Sequence, residues 1–177
     1  MGSPASRHPE GVIVAVASTL VVQKTVALLS GDSGLPATAP EIALMSGIVL
    51  PAISAQQIIA QNVSADIVSR NSSPHYPVFC VYCERLMNSH QERFRVFSSE
   101  VSTAVEVRVS QDRLEGLEDQ LHGCVDAVTQ ALDENGGDWG DGVFYPGGYE
   151  ATYSQVKQGG HNFLQSAKVT FVVALSR

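Results

Sequence analysis

Basic residues are scarce in this chain and never run together. Eleven Lys and Arg stand against 18 Asp and Glu, a formal net charge of −7. No stripe is dense enough to neutralise a phosphate backbone, which excludes tight nucleic-acid binding. An acidic surface repels DNA rather than holding it. Charge of either sign is thin, at 16% of residues against 44% hydrophobic. For 177 residues that balance implies one domain with a substantial core and further burial between subunits.

Cysteine is almost as sparse, and three of them cannot all pair within one chain. Cys80 and Cys83 form a C-x-x-C, but they sit in Val78–Leu86, a strand by its pattern. Side chains three apart on a strand point to opposite faces, and no second C-x-x-C or H-x-x-x-H completes a zinc set. They read as buried thiols of a reducing compartment.

Catalytic signatures are missing too. There is no G-x-S-x-G, no G-x-G-x-x-G and no phosphate-cradling G-x-x-x-x-G-K-[ST]. His8 and His90 lie in polar segments, and His75 in the polar run before a strand. His122 flanks Leu121 on a helix, and His161 stands alone in a Gly-Gly turn. None has an evident carboxylate partner for proton transfer. The acidic loop Asp133–Asp141 offers several oxygens, but as a calcium loop it fails. Asp138 stands where the turn glycine belongs and Phe144 where the closing glutamate belongs. No catalytic, cofactor-binding or metal-ligating residue is assigned.

What is present is organised around one amphipathic helix, Arg113–Glu134. Leu114, Leu117, Leu121, Val125, Val128 and Leu132 recur at steps of three and four, one stripe of a 3.6-residue spiral. Asp112 with Glu115 predicts a capping box at its start, and Asn135-Gly136-Gly137 a left-handed stop at its end. Arg93–Ser110 before it alternates as a strand, with Val101, Thr103, Val105, Val107 and Val109 on one face. Glu106 and Arg108 on the other face read as a solvated pair of little energetic weight. Tyr76–Met87 and Val143–Val156 read as further strands, with Gly159-Gly160 as a turn. Phe163–Arg177 closes the chain with both faces apolar at its end, which suits a central strand or one covered by a partner.

The N-terminal third is less regular. Residues 1–11 read as flexible, with a loose myristoylation pattern that chance explains. Val12–Leu29 is apolar but for Gln23 and Lys24. It reads as a buried or interfacial helix, with a cleaved signal peptide or a short membrane span as alternatives. Asp32–Pro40 reads as a loop. Glu41–Gln61 resumes a helical pattern through Ile42, Met45, Ile48 and Val49, kinked or split at Pro51. The sequons at Asn62 and Asn71 say little, because such triplets are common. The expectation is one α+β domain over 1–177, mainly helical over 12–70 with a sheet-and-helix core over 76–177. Its antiparallel sheet is packed by one long amphipathic helix in β-β-α-β-β order, after N-terminal helical segments.

Phe94–Ser110, Leu114–Leu132 and the closing strand Lys168-Val169-Thr170-Phe171-Val172-Val173 together resemble the tail-terminator (neck or tail-completion) proteins of long-tailed bacteriophages. The resemblance covers residues 76–177 and rests on element order, lengths and the final V-x-F-x-V. The N-terminal half departs from the pattern, having a valine-rich segment and a Pro-interrupted helix instead of one short opening helix. What the resemblance implies is a structural virion subunit, not an enzyme, without cofactor, metal or membrane. It would be assembled in the host cytoplasm as a homohexameric ring that ends tail-tube polymerisation. Its partners would be copies of itself, the tail tube protein and the head–tail connector, with DNA passing through unbound. Lys157, Gln158 and His161 in one turn, and Asp138 and Asp141 in the other loop, lie on Gly-rich polar extensions expected to reach neighbouring subunits. A secreted or periplasmic binding module with a cleaved signal is the alternative, and an α+β enzyme using His122 or His161 comes third.

Overall fold

Three helices and eight strands make up the described part of the computed structural model, residues 10–63, 75–88 and 98–176. In chain order they are α1 (Glu10–Ser30), α2 (Leu35–Ser46), a 3-10 turn (Ala55–Gln57), β1 (Ile58–Ile59), β2 (Val78–Met87) and β3 (Ser98–Gln111). Then follow α3 (Leu117–Glu134), β4 (Gly137–Gly140), β5 (Val143–Tyr145), β6 (Tyr149–Tyr153), β7 (Lys157–Gly159) and β8 (Asn162–Ser176). The fold is mixed α+β. One mainly antiparallel sheet runs β1-β2-β3-β8-β5-β4, with β6 and β7 also paired to β8.

β3 and β8 form the spine, in register from Ser98↔Ser176 to Gln111↔Phe163. The far edge of β8 is shared by β7 at Leu164, β6 at Phe171 and β5 at Leu175. The two-period pattern of the sequence maps onto one covered face. Val101, Val105, Val107 and Val109 are buried there with Val169, Phe171, Val173 and Leu175 of β8. Leu117, Leu121, Val125, Val128 and Leu132 of α3 close over them. Ala17, Val21, Thr25 and Leu29 of α1, every fourth residue, are buried as well. Among the described residues no helix is long and apolar enough to cross a membrane.

Several boundaries differ from the sequence reading. The helix expected from Arg113 starts at Leu117, after Gly116 at φ +78°, and no side chain caps it. Leaving β3 requires a left-handed residue, which glycine supplies without a Cβ clash. The Asp112–Glu115 box therefore does not form, and Leu114 is exposed instead of joining the stripe. α2 begins inside the expected loop, because Pro36 fits the first turn, where its missing N–H is no loss. It ends at a left-handed Gly47, so the helix expected over Glu41–Gln61 stops at Ser46. The strand expected over Val143–Val156 is cut by Gly147 and Gly148, both at positive φ, into β5 and β6. Five strands follow α3 where two were expected.

Lys24, the charge inside the apolar α1, is tied to the β4–β5 loop. Its Nζ donates to the Trp139 carbonyl at 2.9 Å and pairs with Asp141 at 2.8 Å. At Gly142 a Cβ would lie 2.0 Å from the Ser176 carbonyl oxygen, so only glycine lets β5 approach β8 there.

Cys80 and Cys124 are free, buried thiols. Burial pushes Cys124 from 9.0 up to about 12, and Tyr145 from 10.0 up to about 12. In the unfolded chain both groups lose their protons near the ordinary values, whereas the folded protein holds them longer. Stability present below pH 9 is therefore lost as pH rises toward 12. We expect the urea midpoint to fall from about pH 9 upward, and to fall less steeply in Cys124→Ala. Parallel curves for the two proteins would contradict this assignment.

Candidate assembly surfaces

On the sheet face away from the helices, strand alternation places a row of polar side chains. Lys168 of β8 stands opposite Glu106 of β3, and Arg108 lies two residues further along β3. The Glu106–Arg108 pair is not solvated as the sequence suggested. Arg108 is 3% exposed. Its Nε donates to Glu106 Oε1 at 2.9 Å and its Nη2 to Oε2 at 3.1 Å. Nη2 also donates to the Val63 carbonyl, and Nη1 is buried with no hydrogen-bond partner. Burial pulls the guanidinium pKa down, but the paired bonds to Glu106 outweigh it and the net direction is up. Cys80 lies alongside, where burial raises its thiol pKa and Arg108 partly opposes that. A buried thiol held protonated is a poor nucleophile.

Lys168 Nζ donates to Glu84 at 2.8 Å, so charges alternate along the row. A recess of about 270 Å³ opens beside it, lined by Glu106, Thr152, Ser154, Ser166 and Lys168 among others. Its charges are paired within the protein, Glu106 with Arg108 and Lys168 with Glu84, and Ser154 Oγ lies 3.1 Å from Ser166 Oγ. It therefore makes no strong polar demand on a ligand. His122 packs its ring edge-on against Tyr153, with centroids 5.0 Å apart. Among the described residues no three His, Cys, Asp or Glu side chains converge on a metal position.

The candidate interface residues fall into two groups that the fold keeps apart. Lys157, Gln158 and His161 are exposed on the β7–β8 hairpin, where Lys157 pairs with Leu164 and Gly160 takes φ +69°. Asp138, which the sequence placed in a loop, lies in β4 opposite Phe144, and Asp141 lies in the β4–β5 turn; both stand at the other end of β8. Asp138 Oδ1 accepts the Gly140 N–H at 2.8 Å, and Asp141 is held by Lys24. β7 meets β8 near Phe163 and β5 meets it near Leu175. At about 3.3 Å per residue the two loops stand roughly 40 Å apart.

Large apolar side chains are left in solvent on two sides. Leu44, Met45 and Val49 are 87%, 71% and 90% exposed. Phe144, Tyr149, Tyr153, Val156 and Val172 are each at least 40% exposed. The sequence placed Met45 and Val49 on a buried helix stripe. The left-handed Gly47 ends that helix at Ser46, so Val49 leaves the stripe, while Met45 stays in α2 and faces solvent; Gly47 and Pro51 were the available signal. Beside them Gln130 Nε2 donates to both Glu41 at 2.9 Å and Glu134 at 2.8 Å. The sheet is also open-edged: β1 pairs only with Phe79 and Cys80, and no other described strand continues along that edge of β2.

No protein-family model matches the chain, and no curated protein matches it.

Proposed function

We propose that this chain is a structural subunit that works by self-association, as a tail-terminator or neck protein of a long-tailed phage. The observation that carries the reading is the near-complete exposure of Leu44, Met45 and Val49 on a chain poor in charge. Side chains of that size left in water together mark a surface that another protein covers. Unpaired strand edges on β2 add backbone donors and acceptors to the same demand. The finer fold reading takes β2, β3, α3 and the later strands ending in β8 as the kernel of β-β-α-β-β order, with α3 as its packing helix.

In this reading six copies close into a ring that ends tail-tube growth and joins the tube to the head connector. The protein performs no catalysis, and the acidic balance lets DNA slide through without drag. Its place is the neck of the virion. Native mass spectrometry of the purified chain tests the proposal. A six-fold particle is the expected result, and a stable monomer at micromolar concentration overturns it. Deleting Gln158–Gly160 is expected to disturb ring formation while the subunit keeps its circular dichroism. A ring unaffected by the deletion would remove the hairpin from the interface.

A further inference from the structure

The sheet has two unfinished sides. Along β2, β1 pairs only with Phe79 and Cys80, and no other described strand follows on from Val81. Across the sheet, β6 pairs with β8 alone among the described strands, and its other side is open. Ser154, the residue after β6, donates its N–H to the Ser166 carbonyl of β8 at 2.8 Å. Antiparallel ladders alternate by residue, so Tyr149, Ala151 and Tyr153 turn their N–H and C=O groups away from β8. An open row of backbone donors and acceptors is a template for another strand.

The two edges match in sense, in face and in charge. β2 runs with β8 and β6 runs against it. Copies repeated in the same sense therefore bring the edges together antiparallel, the more stable ladder. Tyr149 and Ala151 lie on the helix-covered face, beside Phe171 and Val169. Cys83 and Leu86 lie on that face too, beside Thr103 and Val101. Tyr149 is 43% exposed, and Cys83 and Leu86 are only half-buried. On the opposite face stand Arg85 and Glu150, both exposed and neither ion-paired to a described residue. The bulge between Cys83 and Arg85 keeps the faces in phase. With Arg85 opposite Glu150, Leu86 falls opposite Tyr149 and Cys83 opposite Ala151. A slip by one residue would turn every one of these side chains to the wrong face. Within one subunit β3 and β8 hold the two edges roughly 14 Å apart, at about 4.8 Å per strand. Their meeting takes a second copy.

We infer that β2 of one copy pairs with β6 of the next, edge to edge and antiparallel, with Arg85 opposite Glu150. The contact rests on the self-association proposed above and specifies how it is made. Its two sides are different surfaces, so it is head-to-tail and repeats until the ring closes. Backbone hydrogen bonds supply the adhesion, as in other strand additions. The Arg85–Glu150 pair sets the register and disfavours docking of two like edges, in which the same charge would meet itself.

Charge reversal tests this. By native mass spectrometry the parent chain is expected to form rings. Arg85→Glu and Glu150→Arg are each expected to need about tenfold or more higher concentration for half-assembly, because like charges then face each other across the contact. Both positions are exposed, and circular dichroism checks that each protein is folded. Combining the two changes in one chain pairs Arg with Glu again in every contact and is expected to restore the rings. Amide hydrogen exchange gives a second readout. The Tyr149 and Ala151 amides of the parent are expected to slow on assembly, and to stay fast in Arg85→Glu at the same concentration. Rings unaffected by either reversal, a double variant that stays apart, or Tyr149 and Ala151 amides unchanged by assembly overturn this contact and leave the ring reading standing. A parent chain that is monomeric overturns both.

Discussion

Arg108→Met is expected to destabilise the subunit by about 3 kcal/mol, the low end for breaking a buried ion pair. The loss comes from what remains. Glu106 keeps its charge but loses both donors, and its side chain is only 23% exposed, so water replaces them poorly. The Val63 carbonyl loses its donor as well. Removing both charges together, as Glu106→Gln with Arg108→Met, is expected to recover most of that loss. A pair taken out of water repays little beyond its own desolvation. Urea midpoints of the parent, the single variant and the double variant decide it. A single variant within about 0.5 kcal/mol of the parent would mean that the pair is in effect solvated and worth what exposed pairs are worth.

Phe171→Ala is expected to cost about 3–5 kcal/mol, the range for truncating a fully buried aromatic ring. Phe171 is 2% exposed at the centre of β8. Its ring meets Tyr145 at 5.4 Å and Trp139 at 6.3 Å between centroids. Edge-on aromatic contacts of this kind add roughly 0.5–1.5 kcal/mol beyond buried area. Those partners come from β4 and β5, so the cavity loosens the segment that Lys24 also ties down through Trp139 and Asp141. Trp139 is the sole tryptophan. Its emission in the folded variant is expected to shift to longer wavelength as water reaches the indole, whose Nε1 donates to the Asn135 carbonyl at 2.7 Å. Phe171→Leu keeps most of the volume and is expected to cost under half as much. A change below about 1 kcal/mol in Phe171→Ala would place the ring outside the well-packed core.

How much of this was legible in the sequence depended on distance along the chain. The stripe of α3 and the alternation of β3 were plain, because each is a repeat within one element that faces one core. The apolar end of β8 announced its central position for the same reason. Boundaries were less legible: Gly116 and Gly47 set them by taking left-handed backbone that no periodicity records. The candidate loops were found only in part, from glycine and polar residues: Asp133 and Glu134 still belong to α3, Asp138 to β4, and Lys157 and Gln158 to β7. Their separation to opposite ends of β8 was not visible, since it follows from strand pairing between residues far apart in sequence.

By itself the sequence determined the α+β class, the apolar faces of the long helix and of β3 and β8, and the acidic balance of the chain. Those properties are sums and periods over neighbouring residues, which chain folding preserves. The tertiary structure alone decided that Arg108 is buried while Leu44, Met45 and Val49 are not. Burial is conferred by what packs on a residue from elsewhere: a carbonyl 45 positions away for Arg108, and too little among the described residues to cover Leu44, Met45 and Val49.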